Sequence, residues 1–244
     1  MPTEMTVELF LALYIGHLVG DFVLQPGWLV IAKRSGFTGL GLHVAIIAAS
    51  TVALLATEMA TLWWVVTLAT SAHLLIEILT LRIRTSGRFS GLATLLIDQG
   101  AHFASLVLLA YLARAAGITV APTILGFHAG PLVLAFICGI LIATFMGSII
   151  VHEATNRFGP PALRRDILPY EASRLFGMAE RGLSLVLATL WGPAFIAVTF
   201  VPRAGYAFTL HSPKREAHLI SSLIGLLLCG IIWFLLIILT VTHT

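Results

Sequence analysis

His17 and Asp21, His73 and Glu77, and Asp98 and His102 form three pairs, each setting an imidazole four residues from a carboxylate. Side chains at that spacing lie one above the other on a single helix face, so each pair offers a nitrogen and an oxygen side by side. Short helical motifs of this kind present two ligands to one metal ion. His43 supplies a fourth imidazole, and the expected metal ligands are His17, Asp21, His43, His73 and His102. A mixed imidazole and carboxylate set suits zinc, manganese or iron better than magnesium or calcium, and no thiol lies nearby to favour a softer metal. Such an ion lowers the pKa of a water and polarises an ester, amide or phosphoryl oxygen, and Asp98 or Glu77 is the expected proton acceptor. Seven candidate ligands exceed the three or four that one catalytic zinc requires. Either two ions bind or some members support the ligands from outside.

The elements that carry these residues are membrane helices. Hydrophobic residues make up 59% of the 244 positions and charged residues only 10%, with a mean hydropathy of +1.01. That is far below the roughly one-quarter charged fraction of a soluble domain. Runs long enough for a bilayer core fall at about 6–24, 37–57, 60–80, 91–113, 131–152 and 219–241. The stretch 173–210 is too long for one span and breaks at Trp191-Gly192-Pro193, which predicts a helical hairpin or a re-entrant pair. The expected fold is all-α: one polytopic transmembrane bundle over 1–244 with about eight embedded helices. Its N-terminal four-helix His/Asp unit spans about 6–113 and its C-terminal helices about 131–241. The N-terminus lacks a basic leader and an obvious cleavage site, so the first apolar segment is expected to be a retained helix.

The net charge of +3 and pI near 9.2 do not point to nucleic acid, because the basic residues cluster in short segments between apolar runs. Lys33 and Arg34 follow the first run; Arg82, Arg84 and Arg88 the third; Arg157, Arg164, Arg165 and Arg174 the fifth; Arg203, Lys214 and Arg215 the broken stretch. Placing them in the cytoplasm puts both termini outside, and the expected location is a bacterial inner membrane. That topology sets every buried acid and histidine of the first four spans in the cytoplasmic half of the bilayer. Lys33, Arg82 and Arg84 emerge at the same face and are candidates to hold an anionic headgroup, though each also reads as a plain topology anchor. Gln25 and Gln99 join the buried polar set, and the 173–210 stretch adds Glu180 and Arg181, for which a structural ion pair with another helix competes with a catalytic role. His128, His152, His211, His218 and His243 fall in loops or at helix ends and read as ordinary surface residues. Cys138 and Cys229 lie far apart within apolar runs, which argues against a disulfide.

The motifs "HLVGDFVLQ" followed by Lys33, then His43, "SAHLLIE" and "DQGAH", resemble those of a bacterial membrane-protein family, the domain of unknown function 3307. The resemblance extends through "RLFGMAERGLSLVLATLWGPAFIAVTFVPRAGYAF" and "EAHLISSLIGLLL". This chain has Glu77 where the family usually has Asp, which keeps a carboxylate, and "FVPRAG" around Arg203 where the family carries a Lys-containing stretch. The family implies no activity. In ligand types and depth alone the pattern is similar to inner-membrane metal-dependent hydrolases.

Charges at bilayer depth are costly and usually mark function. The leading expectation is a metal-dependent intramembrane hydrolase acting on a lipid or lipid-linked substrate at the cytoplasmic leaflet. A proton- or ion-coupled transporter and a non-catalytic subunit with a structural polar or metal site are the alternatives, and a homo-oligomer or a membrane partner subunit fits any of them.

Overall fold

A computed structural model of the chain describes residues 2–118, 120, 122–124, 127–159, 161 and 172–243. Its contacts divide it into two compact units, Met1–Cys138 and Gly139–Thr244. Arg164 and Arg165 of the basic segment after the fifth run lie outside the described residues.

The first unit is built from α1 (Pro2–Leu18), α2 (Gly27–Ser35), α3 (Phe37–Leu54), α4 (Met59–Thr85) and α5 (Gly91–Ala115). α1 packs on α3 and α5, α4 on the same two helices, and α2 on α3. Two-residue strands β1 (Thr123–Ile124) and β2 (Phe127–His128) pair antiparallel after α5. His128 at the end of β2 is exposed and approaches the buried Glu8 of α1 at 3.9 Å.

The first apolar run does not form one straight span. α1 widens at Val19–Val23 into a π-helical turn, closed by the Leu24 N–H donating to the Val19 carbonyl at 2.8 Å. The chain then breaks at Pro26 and α2 leaves at 94° to the segment before it. Proline cannot donate the hydrogen bond that would continue the helix, so Gln25-Pro26 ends it. Beyond the bend, the amphipathic α2 buries Leu29 and exposes Trp28 and Ile31, a division that suits an interfacial helix.

Two glycines set the spacing of α1 and α3. A Cβ on Gly16 would lie 2.8 Å from the Thr51 Cα, and one on Gly20 would lie 2.9 Å from the Ile47 Cα. Small residues one turn apart let two backbones approach this closely. Helix packing thus accounts for Gly20. Gly20→Ala is expected to destabilise the protein by about 1–3 kcal/mol through overpacking. Gly41→Ala, with nothing within 4 Å of its Cβ, is the control in a detergent thermal-unfolding assay.

The second unit contains the end of α6 (Pro131–Leu141), a second π-helical turn at Ile142–Met146, α7 (Gly147–Phe158), α8 (Ala172–Trp191), α9 (Ala194–Phe208) and α10 (Lys214–His243). The expected break at Trp191-Gly192-Pro193 is present: Gly192 takes φ +104°, and α8 and α9 pack on one another as a hairpin. Ala143, Leu185, Ala188, Ile196, Phe200, Cys229 and Ile232 form the core. Both cysteines are free and buried.

Among the described residues, five helical stretches are long and apolar enough to cross a membrane, or six where the bent α1–α2 pair counts as one span; α9 is apolar but shorter. The protein is therefore an all-α, membrane-embedded bundle. Its exterior fits that solvent, because Trp63, Leu75, Leu96, Leu108, Tyr111, Leu227 and Phe234 all point outward while His17, Asp21, His43, His73, Glu77 and His102 are buried. Exposed large apolar side chains in such number are rare on soluble monomers.

Arg203, placed by the sequence reading in a basic segment after the broken stretch, instead lies within α9 and is buried. Its Nε is 3.2 Å from Glu180 Oε2 on α8, and its Nη1 donates to Ser221 Oγ on α10. A partner carboxylate makes the buried charge tolerable, which the local sequence around Pro202-Arg203 does not reveal. Arg181 turns away from Glu180 and donates from Nε to the Ala143 carbonyl at 2.6 Å and from Nη2 to the Thr144 carbonyl at 3.3 Å. It fastens α8 to the wide turn, whose carbonyls point off the regular helical ladder. Glu180 and Arg181 are thus engaged in structural contacts.

Candidate metal centre

Five helices and the bend between α1 and α2 bring the N-terminal polar residues to one place. α1 and its wide turn supply His17, Asp21 and Gln25; α2 supplies Lys33; α3, α4 and α5 supply His43, His73 with Glu77, and Asp98 with Gln99 and His102. The four histidines, Asp21, Glu77 and Gln99 are buried, and Asp98 is only 15% exposed. The imidazoles form a continuous group: ring centroids of His17 and His102 lie 4.5 Å apart, of His73 and His102 4.3 Å, and of His43 and His73 5.2 Å.

His43 is the hub on one side. Its Nε2 lies 3.1 Å from His73 Nε2, 3.4 Å from Asp21 Oδ1 and 3.8 Å from Glu77 Oε2. Ligand atoms about 2.0–2.2 Å from a tetrahedral ion are spaced about 3.3–3.6 Å from one another, so these separations bracket the edges of such a site. One ligand atom each from Asp21, His43, His73 and Glu77 fall within 4.8 Å of one another, as do those of His17, His73 and His102, and of Glu77, Asp98 and His102. The residues present therefore fit a borderline transition metal.

Supporting contacts hold the acids from behind. Gln99 Nε2 donates to Asp21 Oδ2 at 3.1 Å and Asp98 Oδ2 at 3.0 Å, while its Oε1 faces His17 Nε2 at 3.2 Å. Gln25 Nε2 reaches Asp21 Oδ1 at 3.3 Å and His43 Nδ1 at 2.9 Å. For His43 Nε2 to ligate an ion, the ring proton must sit on Nδ1 and donate to the Gln25 amide oxygen, which a turn of that amide provides. Lys33 Nζ lies 2.9 Å from Glu77 Oε1 and 4.0 Å from Asp21 Oδ1. Glu77 is therefore divided, one oxygen on the ammonium and the other toward His43.

Some of the polar atoms are left over. Among the described residues, His73 Nδ1, His102 Nε2 and Asp98 Oδ1 are buried and make no hydrogen bond. His102 Nε2 and Asp98 Oδ1 face each other at 3.5 Å, on the i, i+4 pair of α5. An unsatisfied buried polar atom costs about 1–3 kcal/mol, so this corner of the cluster calls for a ligand.

The expected metal ligands His17, Asp21, His43, His73 and His102 and the expected bases Glu77 and Asp98 are thus assembled. Of the three basic residues expected near substrate, only Lys33 enters the cluster; Arg82 and Arg84, in the last turn of α4, are exposed. The sequence alone puts Lys33 at the membrane face, and the helix after the bend turns it into the cluster. The signal available was Pro26 followed by "GWLVIAKRS", a short apolar run that ends in Lys33, Arg34 and Ser35. Gly39 fixes that helix in place, since a Cβ there would lie 2.6 Å from the Lys33 backbone nitrogen.

Residues 9–125 match the DUF3307 family, described as a protein of unknown function. The matched DUF3307 region holds every member of the cluster, and it ends before the α8–α10 segments for which the sequence also showed a resemblance. No curated protein and no solved structure matches the chain.

Proposed function

We propose that the DUF3307 region is the active centre of a metal-dependent intramembrane hydrolase acting on a lipid or lipid-linked substrate. The observation that carries this reading is the cluster itself: four imidazoles and three carboxylates from four helices, spaced as ligands and buried within a membrane bundle. Zinc, manganese or iron would be held by Asp21, His43, His73 and Glu77. A bound ion supplies Lewis acidity and a more acidic water. The chain's own groups supply the rest. Gln99 fixes the Asp21 carboxylate, Gln25 orients the His43 ring, and Lys33 fixes Glu77. Asp98 has an oxygen without a hydrogen bond and is the carboxylate positioned to take the proton of an attacking water. His102, beside it, can return that proton to the leaving oxygen. Arg82 and Arg84 remain candidates to meet a headgroup at the membrane surface. The reading places the centre on the cytoplasmic side of a bacterial inner membrane with both termini outside. It excludes nucleic acid as a partner and allows a homo-oligomer or a membrane partner subunit.

Purified wild-type protein is expected to carry near-stoichiometric transition metal and to hydrolyse a member of a phospholipid and lipid-linked ester panel. Asp98→Asn should abolish turnover while the protein stays folded. Metal-free protein from chelator-free preparations would sink the reading.

One observation favours a second reading, an ion-coupled carrier. The α1–α2 break lies beside the polar cluster, and carriers place broken helices at their binding sites. Proteoliposome flux abolished by Asp21→Asn, without hydrolysis of any lipid, would decide for the carrier.

A further inference from the structure

We infer that the centre holds two metal ions, the second bound by Asp98 and His102 with Glu77 shared, and that the pair is matched to a phosphoryl group. This rests on the hydrolase reading above and extends it to metal number and substrate class. The first ion uses Asp21, His43, His73 and Glu77, which leaves Asp98 Oδ1 and His102 Nε2 facing each other at 3.5 Å without a hydrogen bond. Both are ligand atoms, His102 is 2% exposed, and one ligand atom each from Glu77, Asp98 and His102 fall within 4.8 Å of one another. A single ion in the first group does nothing for that pair. An ion between them satisfies both, and a shared carboxylate is a natural bridge for paired ions about 3.5–4 Å apart.

Charge then specifies the ligand. Asp21, Glu77 and Asp98 carry three negative charges against the one positive charge of Lys33. One divalent ion would leave the centre neutral and indifferent to the charge of its substrate. Two leave it with two positive charges, which a phosphomonoester, carrying about −1.5 to −2 at neutral pH, balances and an uncharged ester does not. In the two-ion centre Asp98 Oδ1 and His102 Nε2 are taken up as ligands and no longer serve as the free base and acid of a one-ion centre. Asp98 Oδ2, which accepts from Gln99 Nε2, is therefore the carboxylate oxygen left to take the proton.

Metal analysis of the purified full-length protein, reconstituted with manganese, tests this. The expected result is two equivalents in the wild type and one in Asp98→Asn and His102→Ala, each variant judged by its gel-filtration profile. Wild-type protein alone provides a second readout, because adjacent manganese ions give a spin-coupled resonance spectrum that an isolated ion does not. Inorganic phosphate should tighten the second equivalent at least tenfold and leave the first unchanged. One equivalent with an uncoupled spectrum overturns the two-ion inference and leaves the hydrolase reading standing. Two equivalents indifferent to phosphate overturn the substrate class. No metal in the wild type overturns the hydrolase reading itself.

Discussion

His43→Ala is expected to lower the affinity for the first metal ion by at least about 100-fold and to remove any hydrolytic activity with it. Four-ligand zinc sites bind with about 10–16 kcal/mol, so one ligand accounts for roughly 3 kcal/mol, which is two decades in the dissociation constant. His43 is the least replaceable member, because it is fully buried and its Nε2 lies within 3.8 Å of atoms from Asp21, His73 and Glu77. Gln25→Leu should cost less, about tenfold, because it removes only the group that orients the ring. Competition with a chromogenic chelator gives both numbers. Equal affinities in wild type and His43→Ala would show that the ion, if bound, lies elsewhere.

Arg203→Ala is expected to destabilise the second unit by about 3–5 kcal/mol, because it leaves Glu180 buried without its partner. The two side chains are 6% and 5% exposed, and their atoms approach to 3.2 Å. Removing both charges together, as in Glu180→Leu with Arg203→Met, should recover most of the loss, since replacing a buried pair with apolar residues is often neutral. Thermal unfolding in detergent reads the difference. If the double variant is no more stable than the single one, the pair is not coupled as the geometry requires.

The helices were legible in the sequence wherever an apolar run had the length of a bilayer. The run at 37–57 became Phe37–Leu54, and that at 91–113 became Gly91–Ala115. Others ran longer: 60–80 became Met59–Thr85 and 219–241 became Lys214–His243, because hydrogen bonding carries a helix past the apolar limit that hydropathy detects. The polar cluster was legible through the i, i+4 pairs, since spacing places ligands on a face and depth places faces together. Lys33 was not, because its position depends on a 94° bend that only Pro26 hinted at. The partnership of Glu180 and Arg203 was hidden for a different reason. It joins residues 23 positions apart on opposite arms of a hairpin, and no local pattern encodes such a contact.

The glycines of α1 stand directly before its functional residues, Gly16 before His17 and Gly20 before Asp21. Successive residues of a helix are about 100° apart, so the seam pressed against α3 and the seam bearing the ligands run side by side along one rod. That makes the glycine seam a key in a keyway. It fixes the angle of rotation of α1 about its own axis, and with it the direction in which His17 and Asp21 are aimed. A side chain in the keyway would turn the aim of the centre even where it left the distance between the helices unchanged.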